Sequence, residues 1–193
     1  MIGCWVVVYC LDYIQTIRGA RLYAEIGSQH MTFEGSYELN PVFQKDIDRL
    51  RWVSPRFVAL LVGTSILFGA YWWVCSQIVF MEPYLVLCGA FLLLEAVVNM
   101  QHVRNIATFR YMQANPQHVA GRIEYKREFL YWNRALEFGL FALLFGILFA
   151  FTASWVVAGG ALASLIVAGR MLMMRRRVAR QAAAREAQAP PST

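Results

Sequence analysis

Apolar positions in this chain come in long unbroken runs, not in the two-residue or 3.6-residue alternation of a half-buried strand or surface helix. Five blocks stand out, at residues 2–17, 57–80, 84–103, 129–150 and 153–169. Crossing the hydrocarbon of a bilayer takes roughly 17–25 residues at about 1.5 Å per residue. The middle three blocks reach across directly, the fifth does so once residues 171–174 extend it, and the first draws on its flanks through Tyr23. The pattern predicts an all-helical bundle of five transmembrane spans in a single domain, residues 1–175, followed by a basic tail, residues 176–193. Polar linkers occupy residues 18–56 and 104–128, and short amphipathic helices are expected in them. Residues 45–52, where charge mixes with Ile47, Leu50 and Trp52, suit a segment lying at an interface. The connections near Met81 and Ala153 are short, so spans two and three, and four and five, should be antiparallel hairpins. The first block has no Lys or Arg before Arg18, and Leu11-Asp12-Tyr13 stands where a small-residue cleavage site would be. It therefore reads as a retained span, not a signal peptide.

Composition agrees. The chain is 59% hydrophobic and 16% charged, against about 45–50% and about 25% for soluble domains. That excludes disordered, collagen-like and disulfide-rich classes. The charge distribution adds direction. All 18 Lys and Arg residues lie in the two linkers, at their edges or close to the carboxyl end. The positive-inside rule then places the amino terminus outside and the carboxyl terminus in the cytoplasm, as in a multi-pass protein of a bacterial inner membrane. The net charge of +6 is a matter of topology and of contact between the basic tail and anionic lipid headgroups, not of nucleic acid.

Four sets of polar residues interrupt the apolar runs. Asp12, Gln15 and Thr16 share one face of the first span, and Glu95, Asn99 and His102 form a stripe on the third. Asn133 and Glu137 are four apart on the fourth. A loop stretch carries His30, Glu34, Glu38 and Asn40. Counting from the nearest linker arginine puts Asp12 about 9 Å, Glu95 about 14 Å and Glu137 about 15 Å deep. An ionisable side chain inside the bilayer costs roughly 2.5–3.5 kcal/mol on insertion scales, and usually faces partners in the bundle. Three helices carrying that cost at one level suit a shared polar site opening toward the cytoplasm. They equally suit structural ties, Arg104 pairing with Asp12 or Glu95 and Arg134 with Glu137.

His102 is the best ligand or proton-relay candidate of the three histidines; His30 and His118 lie on linkers. A divalent metal could draw on His102, Glu95 and Asp12, with Glu34 or Glu38 added, although no dense spacing such as His-Glu-x-x-His occurs. Cys4, Cys10, Cys75 and Cys88 all fall inside spans and read as buried free thiols. Gly160, Ser164 and Ala168 make a small-residue ridge that packs within the chain or between copies. Trp72, Trp73, Trp155 and Tyr84 suit an outer aromatic belt, and Trp52, Tyr131 and Trp132 an inner one.

Asp12-x-x-x-Thr16, followed by a glycine-bearing stretch and Glu38-Leu39-Asn40-Pro41, resembles an uncharacterised family of small bacterial membrane proteins. In that family an intramembrane aspartate and threonine precede a Glu-x-Asn-Pro motif. The match covers residues 8–45, and the segment between its two halves is longer here. The resemblance implies that Asp12, Thr16, Glu38 and Asn40 belong together, and it implies no activity.

Three functions fit. One is binding or transport of a cation, proton or small polar solute through the carboxylates. A second is a membrane-embedded enzyme acting on a lipid or cofactor at the cytoplasmic interface. The third is an accessory or scaffold subunit of a larger membrane complex. Five short spans enclose little volume, so a homo-oligomer or membrane-complex subunit is expected.

Overall fold

A computed structural model describes residues 1–34, 46–47 and 49–188, with side chains through residue 184. It has five long helices: α1 (Ile2–Leu22), α2 (Pro55–Gln77), α3 (Glu82–Ala114), α4 (Arg127–Thr152) and α5 (Trp155–Gln188). Two three-residue strands, β1 (Met31–Phe33) and β2 (Ile123–Tyr125), accompany them. Helices α2 to α5 are long and apolar enough to cross a membrane, which makes this a multi-pass membrane protein. α1 has the length, at 21 residues, but Asp12, Gln15, Thr16 and Arg18 lower its hydropathy.

Local chemistry sets the helix ends. Ser54 caps α2 by accepting from the Arg56 N–H at 3.2 Å, with Pro55 in the first turn. α3 opens on Glu82-Pro83, an acid and a proline where the helix dipole and the orphan N–H groups favour them. α4 closes on Ala153 in the left-handed region (φ 48°, ψ 26°), which turns the chain straight into α5.

The linkers depart from expectation. α3 does not stop at Arg104 but runs ten residues further, because nothing breaks the helix before Pro116. α1 likewise continues through a π-helical turn, Tyr23–Gly27, and a short turn, Ser28–His30. Where amphipathic helices were expected, the two linkers pair instead as a parallel ladder, Met31 opposite Ile123 and Phe33 opposite Tyr125. Stacking of Phe33 on Tyr125 and of Tyr125 on Phe129, with centroids 5.6 and 5.5 Å apart, holds that ladder against the start of α4. The interfacial segment expected over residues 45–52 lies partly outside the described residues. Of what is described, Ile47 is buried against Tyr13, Ile17 and Ala20 of α1, and Asp46 accepts from the Ser54 hydroxyl at 2.6 Å.

α3 is the centre of the bundle. α1 and α5 pack on it, and α4 packs on α5. The α3–α5 crossing is a backbone-to-backbone contact: a Cβ on Gly89 would overlap the Val156 carbonyl, and one on Gly159 the Val86 carbonyl. Gly160, Ser164 and Ala168 continue this seam, so the small-residue ridge packs within the chain, with Leu93 over Gly160 and Ser164 fully buried. At the end of the bundle away from the ladder, Trp5, Tyr9, Phe68, Cys75, Tyr84 and Cys88 form an apolar cluster. Trp5 Nε1 donates to Thr64 Oγ1 at 2.9 Å within it. Tyr84 is thus buried and not a belt residue, whereas Trp72, Trp73 and Trp155 are exposed. All four cysteines are free.

Gly159→Ala should force α3 and α5 apart and lower stability by about 1–3 kcal/mol or more, the usual cost of overpacking. Gly139→Ala, where nothing lies within 4 Å of the added methyl, should be neutral. Thermal unfolding of the two variants in the same detergent checks the contrast.

Candidate functional site

The polar face of α1 and the polar stripe of α3 meet. Thr16 donates its one hydroxyl proton to the Asp12 carbonyl at 2.9 Å, the back-bond usual for threonine in a helix. Its oxygen lies 3.0 Å from His102 Nε2. With the hydroxyl proton committed, Thr16 accepts here, which places a proton on Nε2. Asp12 Oδ1 sits 3.1 Å from the same nitrogen, off the hydrogen-bond axis. One turn away, Asn99 Nδ2 donates to the Val8 carbonyl at 3.1 Å and to the Glu95 carbonyl at 2.8 Å, fastening α3 to α1 again.

These residues open onto a cavity of about 440 Å³, lined by Asp12 and Thr16 from α1 and Glu95, Gln101 and His102 from α3. α2 contributes Phe57, Leu60 and Thr64; Tyr131, Arg134 and Phe138 come from α4, and Val167, Arg170 and Met174 from α5. Along α1 it runs from Trp5 to Thr16, about 16 Å, so its far end lies in the aromatic cluster. Its polar part carries unmatched capacity. Asp12 Oδ1, Glu95 Oε2, both amide atoms of Gln101 and His102 Nδ1 are buried with no hydrogen-bond partner among the described residues. Buried polar groups are ordinarily paired, and one left unpaired costs about 1–3 kcal/mol.

A second cavity, about 310 Å³, lies at the ladder end, lined by Arg104, Asn133, Arg134, Glu137 and the rings of Phe33, Tyr125 and Phe129. His102 and Arg134 line both cavities. Here Arg104 Nη1 donates to Glu137 Oε1 at 2.5 Å, and Arg134 lies 4.0 Å from the other oxygen. Arg104 therefore ties α3 to α4 through Glu137 rather than pairing with Asp12 or Glu95. Glu137 belongs to this ion pair, and the carboxylates of the larger cavity are Asp12 and Glu95.

The loop candidates divide. Glu34 Oε2 accepts from the Arg127 N–H at 3.1 Å, and its carbonyl accepts from Arg127 Nε at 3.0 Å. From just past β1 it supplies the cap that the Lys126 side chain does not give α4. His30 Nδ1 lies 3.4 Å from the Gly121 carbonyl, and His118 is bonded to Tyr111 at 2.9 Å. Glu38 and Asn40 lie outside the described residues. Nearby, the hydrogen bond and charge of Lys126 hold the Glu124 carboxyl below its ordinary range, and Glu124 raises Lys126 in return. For a metal, Asp12 and His102 make a pair but not a cage. Among the described residues no three His, Cys, Asp or Glu side chains gather closely enough to hold an ion.

Sequence reasoning passed over Gln101. Counting four and seven residues on from Leu94 reaches Val98 and Gln101 on the cavity face, so the signal was present in the helical period. Arg170 and Tyr131 had no such signal, because only tertiary packing brings them to the cavity. Comparison with known protein families, curated proteins and solved structures finds no match to this chain.

A double-mutant cycle on Asp12→Asn and His102→Gln should show a coupling energy of about 0.5–3 kcal/mol, the range for residues in direct contact. Unfolding of the four proteins measures it, and additive effects would mean the pair is not energetically linked.

Proposed function

We propose that this is a five-span integral membrane protein of the bacterial inner membrane, amino terminus outside and carboxyl terminus in the cytoplasm. Its cavity in the cytoplasmic half of the bundle binds a cation, proton or small polar solute as a step in transport. One observation carries this reading: the larger cavity between α1 and α3 is lined by Asp12, Glu95, Gln101 and His102, among which Glu95 Oε2, both amide atoms of Gln101 and His102 Nδ1 are buried without a hydrogen-bond partner among the described residues. A structural tie engages its carboxylate directly, as Arg104 engages Glu137 through Oε1. The clustering of all 18 basic residues in the two linkers, at their edges or close to the carboxyl end supports the orientation and the contact with anionic headgroups. Counted as a fifth span, α1 keeps both linkers on the same side, in keeping with the pairing of β1 with β2.

The reading is tested on purified protein in lipid nanodiscs and in vesicles loaded with a pH-sensitive dye. Thermal unfolding is followed with sodium, potassium, magnesium and zinc salts, with a series of small polar solutes, and proton entry is followed after a pH step. At least one species should stabilise or permeate through the wild type, and Glu95→Gln should remove that response while leaving the protein folded. If none of them acts on the wild type, the carboxylates serve only to tie helices and the accessory-subunit reading replaces this one. A protease-accessibility assay that finds the carboxyl tail outside would overturn the topology.

A further inference from the structure

We propose that the larger cavity takes an amphipathic organic amine in its protonated form. The ammonium sits among Asp12, Glu95 and Gln101, and the apolar body lies along the rings of Phe57, Phe91 and Phe138. This rests on the reading above and names the class of ligand for the same site.

The first ground is the sense of the unmatched atoms. Glu95 Oε2 is an acceptor without a hydrogen-bond partner among the described residues, and Asp12 Oδ1 has only the off-axis approach of His102 Nε2 at 3.1 Å. An ammonium offers up to three N–H donors and a positive charge, so it satisfies two carboxylates and an amide oxygen together. Gln101 is the second and independent ground. At 4% exposure it is among the most buried polar residues, yet neither of its amide atoms has a partner and the residue lines the cavity. The carboxamide therefore stands unpaired in the wall that also holds the two carboxylates.

The walls select the rest of the ligand. Beyond the carboxylates the lining is aromatic and aliphatic, including Trp5, Tyr9, Phe91 and Phe138. A small fully hydrated ion gains little from such walls, whereas an apolar body is desolvated by them and a cation is drawn to the ring faces. The volume of about 440 Å³ falls within the range of small-molecule sites. An anion would meet Asp12 and Glu95. The two cavity-lining arginines do not reverse that sign: Arg134 faces Glu137 at 4.0 Å, and Arg170 is exposed.

The test uses the full chain in nanodiscs, titrated with 2-phenylethylammonium, its neutral isostere 2-phenylethanol and the anion 3-phenylpropanoate, read by thermal unfolding and tryptophan fluorescence. The amine should give a saturable rise in Tm that the alcohol and the acid do not reproduce. Glu95→Gln and Gln101→Leu should each weaken its affinity about tenfold or more, as expected for loss of a charge-assisted or buried hydrogen bond. Gln101→Leu carries the test if the glutamate variant fails to fold, because it removes polarity from a buried position. Equal responses to amine and alcohol would reduce the effect to partitioning into lipid and overturn the proposal, as would undiminished affinity in the folded variants. A wild type that answers to an inorganic cation, a proton or another solute but not to the amine overturns this assignment alone. A wild type that answers to nothing overturns both.

Discussion

Hydrocarbon offers no hydrogen bonds, so every polar side chain on a membrane-crossing helix has to find its partner inside the protein. The arrangement of this chain follows from that constraint acting on α3. It carries Glu95, Asn99, Gln101 and His102 within two turns, so it cannot present that face to lipid and is driven to the middle of the bundle. α1 meets the stripe with Asp12 and Thr16, and the Asn99 bond to the Val8 carbonyl draws the two backbones together. On its opposite side α3 has Gly89, and α5 answers with Gly159 and Gly160. Hydrogen bonds therefore hold one side of α3 and close backbone contact holds the other.

The parts of this arrangement that were legible in the sequence are those written in local period. The long apolar runs foretold helices α2 to α5, and the four-residue spacing from Asp12 to Thr16 and from Glu95 to Asn99 foretold which faces are polar. The small-residue ridge foretold a packing seam. The illegible parts are pairings between distant segments. Nothing in Met31–Phe33 or Ile123–Tyr125 alternates long enough to announce a strand, and each forms only because the other is there. Depth alone offered Arg104 Asp12 or Glu95 and left Glu137 to Arg134, and only the packing of α3 against α4 pairs Arg104 with Glu137. Tyr84 carries the composition of an interface residue, but the approach of Trp5 and Phe68 encloses it.

The same distinction separates the two kinds of polar residue in the site. Glu34 caps a helix, Glu137 meets an arginine through one oxygen, and Thr16 donates its proton to its own helix. On the central helix, Glu95 Oε2 and both amide atoms of Gln101 are buried with no hydrogen-bond partner among the described residues. A chain that needed only to join α1 to α3 could do so with Asn99 and the Thr16–His102 bond, both of which are already made. Leaving a carboxylate and a carboxamide unmatched beside them adds cost without adding a tie.

The two ends of the bundle carry this asymmetry further. At the end away from the ladder, Trp5, Tyr9, Phe68 and Phe91 stack edge to face and face to face within about 6 Å of one another, and the cavity stops among them. At the ladder end the second cavity sets Arg104, Arg134 and Glu137 beside the rings of Phe33, Tyr125 and Phe129, and His102 lines both cavities. A helix tie has no need of such a gradient, since a hydrogen bond is satisfied at whatever level it forms. A cavity lined by rings toward one end and by Asp12, Thr16 and His102 toward the other orients whatever enters it. An ammonium with an apolar body fits that polarity because its two ends have opposite requirements, whereas a bare ion or a proton would make no use of the aromatic half.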